Sequence, residues 1–194
     1  VLYDVVSEGR RVINNMTKSA GVFFIKTFYS VLLCILCLFF NWDFPFIPIQ
    51  ITLIDAVIEA FPAFFMSFEK NDRKVERTFL RNAVTSALPD SIAIFACCLV
   101  FLLISPALSI NELQCNLLMY LSVGFISLAA VAKSCMPFNS LRLFLCLSSI
   151  IMFTGAVIIM APFLQLAALT GSLLLPMAAV IIPGIIFSLL FKRI

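Results

Sequence analysis

Two carboxylates and a proline lie close together in one apolar stretch, at Asp55, Glu59 and Pro62. Asp55 and Glu59 are four residues apart, so an α-helix would present them on one face. Each ionised carboxylate in an apolar span costs several kcal/mol unless a cation or a proton neutralises it. Pro62 has no N–H and leaves the carbonyl of Ile58 without its helical donor. Because hard cations prefer oxygen ligands, this segment predicts a hard-cation site at Glu59 and Asp55, beside the Ile58 carbonyl.

The preceding apolar stretch holds further polar residues, Lys26, Thr27 and Ser30, about one turn apart on one face. Lys26 is a candidate internal counter-charge for either carboxylate, and its spacing does not decide between them. It is only about two turns from the end of its stretch, so its ammonium group could instead reach water. Alternatively, the charges pair within the protein and have no further role. Burying three ionisable groups in a bilayer is costly, which favours a functional site.

The elements that position these residues are membrane spans. Hydrophobic residues make up 63% of the 194 residues and charged residues 12%, and the mean hydropathy is +1.15. Six apolar stretches are long enough to cross a bilayer at about 1.5 Å per residue. The sequence therefore predicts an all-α, polytopic membrane helix bundle. Its six transmembrane helices are expected at about residues 20–40, 49–67, 83–104, 115–132, 143–163 and 173–191.

The basic residues alternate between the two sides of these spans. All Lys and Arg residues except Lys26 lie before the first span, after the second and fourth spans, or in the C-terminal tail. The loops at 41–48, 105–114 and 164–172 contain none. This pattern predicts an integral membrane protein with both termini in the cytoplasm. The net charge of +3 then reflects topology, and no nucleic acid partner is expected.

The sequence gives little support for histidine catalysis or for a metal site made of cysteines. The absence of histidine excludes imidazole catalysis and histidine-ligated metals. Cys34 and Cys37 form a C-x-x-C pair that could present thiolates to a soft metal. Most of the seven cysteines lie in or next to apolar spans, so packing as small hydrophobic residues is the favoured interpretation.

The segment Glu8-Gly-Arg-Arg-Val-Ile-Asn-Asn-Met16 resembles the entry to the fifth membrane helix of P-type cation-transporting ATPases, where a Gly-Arg-x-x-x-Asn-Asn pattern recurs. The resemblance continues without a gap through Ile47-Pro48-Ile-Gln50 and on to Glu59-Ala-Phe-Pro62-Ala. It is specific over about residues 7–72 and rests on hydropathy beyond them. It implies that the six spans are helices five to ten of such a pump, in a bacterial plasma membrane.

The family's fifth and sixth helices supply cation ligands, which the resemblance places on particular residues. Glu59 falls at the family's sixth-helix Asp, and Asp55 at a position where calcium pumps have Asn. Thr27 and Ser30 fall on two fifth-helix ligand positions, and neither is acidic, which argues against a calcium pump. Lys26 falls where the proton–potassium branch has a lysine that acts as an internal positive charge.

The resemblance implies the membrane half of an ATP-driven cation pump, in which residues 1–19 end the phosphorylation domain and form the stalk, and residues 20–194 form the transport domain. The chain contains no Asp-Lys-Thr-Gly phosphorylation motif, so it should not hydrolyse ATP alone. No cofactor is expected in this chain, whereas ATP and Mg²⁺ would serve the parent pump. Expected partners are the transported cation, the upstream catalytic domains, the first four membrane helices and the lipid bilayer. The basic loop Glu69–Asn82 is a candidate contact for the phosphorylation domain.

Two other functions are compatible with the residues. A self-contained six-helix secondary carrier or channel could use the same carboxylates as a proton relay. Paired broken helices in two halves of the chain would favour a carrier, and the sequence shows no such pairing. A non-transporting membrane scaffold would leave two carboxylates within a span unexplained. The cation and its direction of movement stay open.

Overall fold

The computed structural model describes residues 2–69 and 79–190. In these ranges the elements are α1 (Leu2–Phe40), α2 (Pro48–Ile54), a π-helical segment (Asp55–Ala60), α3 (Phe61–Ser67), α4 (Phe79–Ile104), α5 (Glu112–Ser134), α6 (Ser140–Ile159) and α7 (Gly171–Leu190). Six helical units are long and apolar enough to cross a membrane, and α2, the π-helical segment and α3 together form one of them. The all-α bundle with six spans is thereby confirmed. The cytoplasmic location of both termini stays a prediction.

The helix bounds differ from the predicted spans mainly at two places. α1 is one continuous helix of 39 residues, so the polar segment before the first span belongs to the same rod, about 58 Å long. α6 ends at Ile159, although the apolar stretch continues to Phe163. Pro162 explains this early end, because proline cannot donate a helical hydrogen bond and disfavours helical geometry in the residue before it.

The helix α5 lies at the centre of the bundle. Within their most apolar windows, 78% of α5 is buried, compared with 22% of α6 and of α7. α1 packs along α4, and α4, α5 and α7 pack against one another. Gly184 of α7 allows one of these close approaches, since a Cβ atom there would lie 2.7 Å from the Cys97 sulfur of α4.

A polar network joins α2 to the central helix. The Gln50 amide donates to the Asn116 side chain at 3.0 Å and to the Leu164 carbonyl at 2.9 Å. The Tyr120 hydroxyl donates to the Gln50 carbonyl at 3.2 Å. Gln50 and Tyr120 are almost fully buried, so these bonds fix α2 against α5. They thereby position the π-helical segment that follows α2.

Candidate cation site in the π-helical segment

The helix changes its hydrogen-bonding register immediately before Pro62. The N–H of Phe61 donates to the carbonyl of Ala56, five residues earlier, as in a π-helix. In that register the next donor, for the Val57 carbonyl, would be Pro62. In the α-helical register Pro62 would be the donor for the Ile58 carbonyl. Because Pro62 has no N–H, it donates to neither the Val57 nor the Ile58 carbonyl. The sequence predicts an irregularity at Pro62 but not the π-helical segment before it.

Lys26 and Asp55 form an ion pair between α1 and the start of the π-helical segment. The Lys26 ammonium group donates to one carboxylate oxygen of Asp55. The two side chains are 33% and 31% exposed, so the pair lies at the edge of the helix bundle. Of the two carboxylates that the sequence offered to Lys26, the structure places Asp55 next to it.

Glu59 lies deeper in the bundle than Asp55. Its residue surface is 2% exposed, and its Oε2 atom has no hydrogen-bond partner among the described residues. Beside it is a cavity of about 10 Å³, which the hydroxyl-bearing residues Ser19 and Ser134, with Ile58 and Pro62, help to line. A cavity of this size holds about one water-sized particle. Glu59 therefore combines a buried acceptor with a small space next to it.

The other three predicted ligands, Thr27, Ser30 and Ile58, differ in how deeply they are buried. Thr27 is exposed on the surface of α1, and its hydroxyl lies 3.4 Å from the Phe23 carbonyl of its own helix. Ser30 is half-buried, and the side chain of Ile58 is fully buried. The structure thus brings Lys26 and Asp55 together near Glu59, while Thr27 lies on a different side of α1.

Tyr29 is a buried polar residue of α1 that the sequence did not single out. It is 1% exposed, and its hydroxyl has no hydrogen-bond partner among the described residues. The available signal was its position one turn after Lys26, on the same helix.

A second buried ion pair lies away from this site. Lys133 of α5 donates to Asp90 of α4 and, at 2.7 Å, to the carbonyl of Ser188 in α7. The Ser188 hydroxyl also donates to Asp90 at 2.7 Å. The sequence predicted Lys133 just after the fourth span, whereas the structure includes it in the last turn of α5, with its side chain only 5% exposed. An aspartate within a span requires a counter-charge, which was the signal for this pair.

Two other predicted features add no ligand to the site. Cys34 is exposed, whereas the buried Cys37 thiol contacts the Asp43 carbonyl at 3.6 Å. Within residues 2–69 and 79–190 no group of three or more His, Cys, Asp or Glu side chains could hold a metal ion. Most of the loop proposed to contact a phosphorylation domain, residues 70–78, lies outside the described ranges. Its first residue, Glu69, binds Arg142 at 2.8 Å.

Known cation pumps are similar to much of this sequence. The chain is 38% identical over 155 residues to the probable cation-transporting ATPase exp7 of Streptococcus pneumoniae, a match that covers 76% of this chain and 20% of that protein. It is 38% identical over 100 residues to the calcium-transporting ATPase CtpE of Mycolicibacterium smegmatis, covering 46% of this chain and 13% of that protein. The CtpE of Mycobacterium bovis matches at 38% over 100 residues, covering 46% of this chain and 12% of that protein.

The chain spans about a fifth or less of the length of these relatives. No family model matches it. The relatives and the six apolar helices nevertheless agree with the resemblance found in the sequence. The chain is a homologue of the P-type cation-transporting ATPases and corresponds to a membrane-spanning part of them.

Proposed function

We propose that this chain is the membrane half of an ATP-driven cation pump of the bacterial plasma membrane, with Glu59 as the first ligand of the transported cation. One observation carries the proposal: the Glu59 carboxylate is buried in an apolar bundle, and one of its oxygens has no partner among the described residues. Such a group is costly unless a proton or a cation neutralises it. The adjacent cavity offers space for a small particle.

Charge balance bears on which ion the site would take. Lys26 and Asp55 neutralise each other, so Glu59 is left with one uncompensated negative charge. That charge matches a proton or a monovalent cation, and a divalent cation would need further negative charge from outside this chain. Two relatives are named calcium-transporting ATPases, so Ca²⁺ should be compared with monovalent cations. In this proposal Lys26, by neutralising Asp55, influences whether the site accepts a monovalent or a divalent cation.

The supporting ligands in this proposal are Asp55, the Ile58 carbonyl, Ser30 and Thr27. Asp55 contributes its second oxygen, since Lys26 occupies the first. Pro62 leaves the backbone next to Ile58 short of a donor, so a carbonyl oxygen is available to a hard cation. Thr27 would take part only where another helix covers its exposed side, such as one of the first four helices of the parent pump.

The continuous helix α1 supports a coupling role for residues 1–19. Because α1 has no break between Leu2 and Phe40, a displacement of its N-terminal end would be transmitted to Lys26. In the parent pump, upstream catalytic domains that use ATP and Mg²⁺ would supply this displacement. Phosphorylation there would switch access to Glu59 between the two sides of the membrane.

Transport by the complete protein, reconstituted into lipid vesicles, tests this function. We expect Glu59→Gln to raise the half-saturating cation concentration for ATP hydrolysis at least tenfold, or to abolish activation. Glu112→Gln is the matched control, because Glu112 is exposed at the start of α5. Unchanged activation of Glu59→Gln by every cation tested would remove Glu59 from the site.

The same vesicles distinguish a pump from a secondary carrier. A pump takes up the cation only when ATP is present, and this uptake continues when the proton gradient is collapsed. Uptake that follows an imposed proton gradient without ATP, and that is lost in Glu59→Gln, would instead establish the carrier.

A further inference from the structure

The small cavity beside Glu59 lies where three membrane spans meet. α1 contributes Ser19 to its lining, α3 contributes Met66, and α5 contributes Ser134. Among the described residues that line it, only Ser19 and Ser134 carry a polar side chain besides Glu59. One buried carboxylate and two hydroxyl groups, from three different spans, therefore border the same space.

Contacts on either side fix the level of this cavity along α1 and the next span. At one end Lys26 donates to Asp55. At the other end the side-chain amide of Asn15 donates to the carbonyl of Glu69 at 2.8 Å. α1 and the next span therefore run in opposite directions, and the cavity lies between these two contacts, since Ser19 lies between Asn15 and Lys26 along α1. The cavity is thus separate from the Lys26–Asp55 pair.

Ser134 reaches the cavity from the end of α5. It is 6% exposed, and its hydroxyl donates to the Ala130 carbonyl of the same helix at 3.2 Å. The next residue, Cys135, contacts the Met66 sulfur at 3.9 Å, so this end of α5 packs directly against α3. A hydroxyl group has one donor and two acceptor lone pairs, and the donor of Ser134 is used within α5. Its oxygen therefore faces the cavity region as an acceptor, which suits a cation.

We propose that the hydroxyl oxygens of Ser134 and Ser19 are neutral ligands of the cation that binds at Glu59, in the cavity between α1, α3 and α5. The inference rests on the proposed function and adds two ligands that the resemblance does not place. Hard cations bind neutral oxygens beside carboxylates, and neutral oxygens leave the single negative charge of Glu59 unchanged. A cavity of about 10 Å³ has no room for a hydration shell, so the two hydroxyl groups replace water and the size of the bare cation matters.

Removal of one hydroxyl group tests the assignment. Na⁺, K⁺ and Ca²⁺ are titrated separately into the complete protein in lipid vesicles, with ATP hydrolysis as the readout. Ser134→Ala should raise the half-saturating concentration of the activating cation about tenfold, as expected for one lost contact to a charged group. Ser19→Ala should act in the same direction, because its hydroxyl borders the same space from α1.

Ser122→Ala is the matched control for Ser134→Ala. Ser122 is also buried in α5, and its hydroxyl donates to the Leu118 carbonyl, four residues earlier, at 2.8 Å. Ser122 does not line the cavity beside Glu59. We therefore expect Ser122→Ala to leave the half-saturating concentration unchanged.

Ion selectivity separates a ligand from a packing residue. Loss of the Ser134 hydroxyl enlarges a space of about one water-sized particle. Ser134→Ala should therefore shift the ratio of half-saturating concentrations in favour of the larger ion, from Na⁺ toward K⁺, or from Ca²⁺ toward Sr²⁺ if divalent cations activate. If Ser134→Ala changes only thermal stability or the maximal rate, the ligand role is wrong.

Comparison with Glu59→Gln shows which of the two proposals fails. If Glu59→Gln abolishes activation while Ser134→Ala and Ser19→Ala behave as Ser122→Ala does, the pump function stands and this inference falls. If Glu59→Gln also behaves as wild type, the proposed function fails and this inference fails with it.

Discussion

The buried ion pair of Asp90 and Lys133 provides a quantitative test of how the bundle is held together. Asp90 is 0% exposed and the Lys133 side chain 5%, and Ser188 bonds to both residues. The three residues belong to α4, α5 and α7, so their bonds connect three membrane helices. If one charge is removed, the other is left in a medium that solvates it poorly.

We expect Lys133→Met and Asp90→Asn each to lower the free energy of unfolding by about 3–5 kcal/mol, because each leaves an uncompensated buried charge or donor. The double variant Asp90→Asn/Lys133→Met removes both charges and should be more stable than either single variant. Reversible unfolding in mixed micelles, followed by circular dichroism, measures these differences.

An exposed pair serves as the control for this measurement. Glu8 and Arg11 form an ion pair on α1 with side chains 58% and 29% exposed. Arg11→Met should change the free energy of unfolding by less than about 1 kcal/mol, since water screens such pairs. Single variants at Asp90 or Lys133 that resemble Arg11→Met would refute the reasoning. So would a double variant that is destabilised by the full sum of the two single variants.

The six membrane spans could be predicted from the sequence because each depends only on the composition of one local stretch. A stretch of about 20 apolar residues must form a helix in lipid, since its backbone groups have no other partners. The end of α6 shows the limit of this rule, because Pro162 stops the helix while the apolar composition continues to Phe163. Hydropathy indicates whether a segment lies in lipid, but it does not show where the backbone hydrogen bonds of a helix end.

The pairing of charges could not be predicted in the same way, because it depends on residues distant in the chain. Lys26 and Lys133 both lie within or next to apolar stretches, and nothing nearby in the sequence distinguishes them. The partner of Lys133 is 43 residues away, and that of Lys26 is 29 residues away. Only the packing of the helices decides that Lys133 is buried more deeply than Lys26. Tyr29 was missed for the same reason, since its surroundings belong to other helices.

Two further variants test the site and the packing around it. Lys26→Ala removes the internal positive charge, so transport should change in ion selectivity and pH dependence; unchanged profiles would exclude a modulating role. Gly124→Ala should destabilise the bundle by about 1–3 kcal/mol, because its Cβ atom would lie 2.0 Å from Cζ of the fully buried Phe153 ring, and a closely packed interior resists such overpacking. Gly155→Ala is its control, since a Cβ atom there meets nothing within 4 Å, and equal unfolding of the two alanine variants would show that α5 and α6 are not in tight contact.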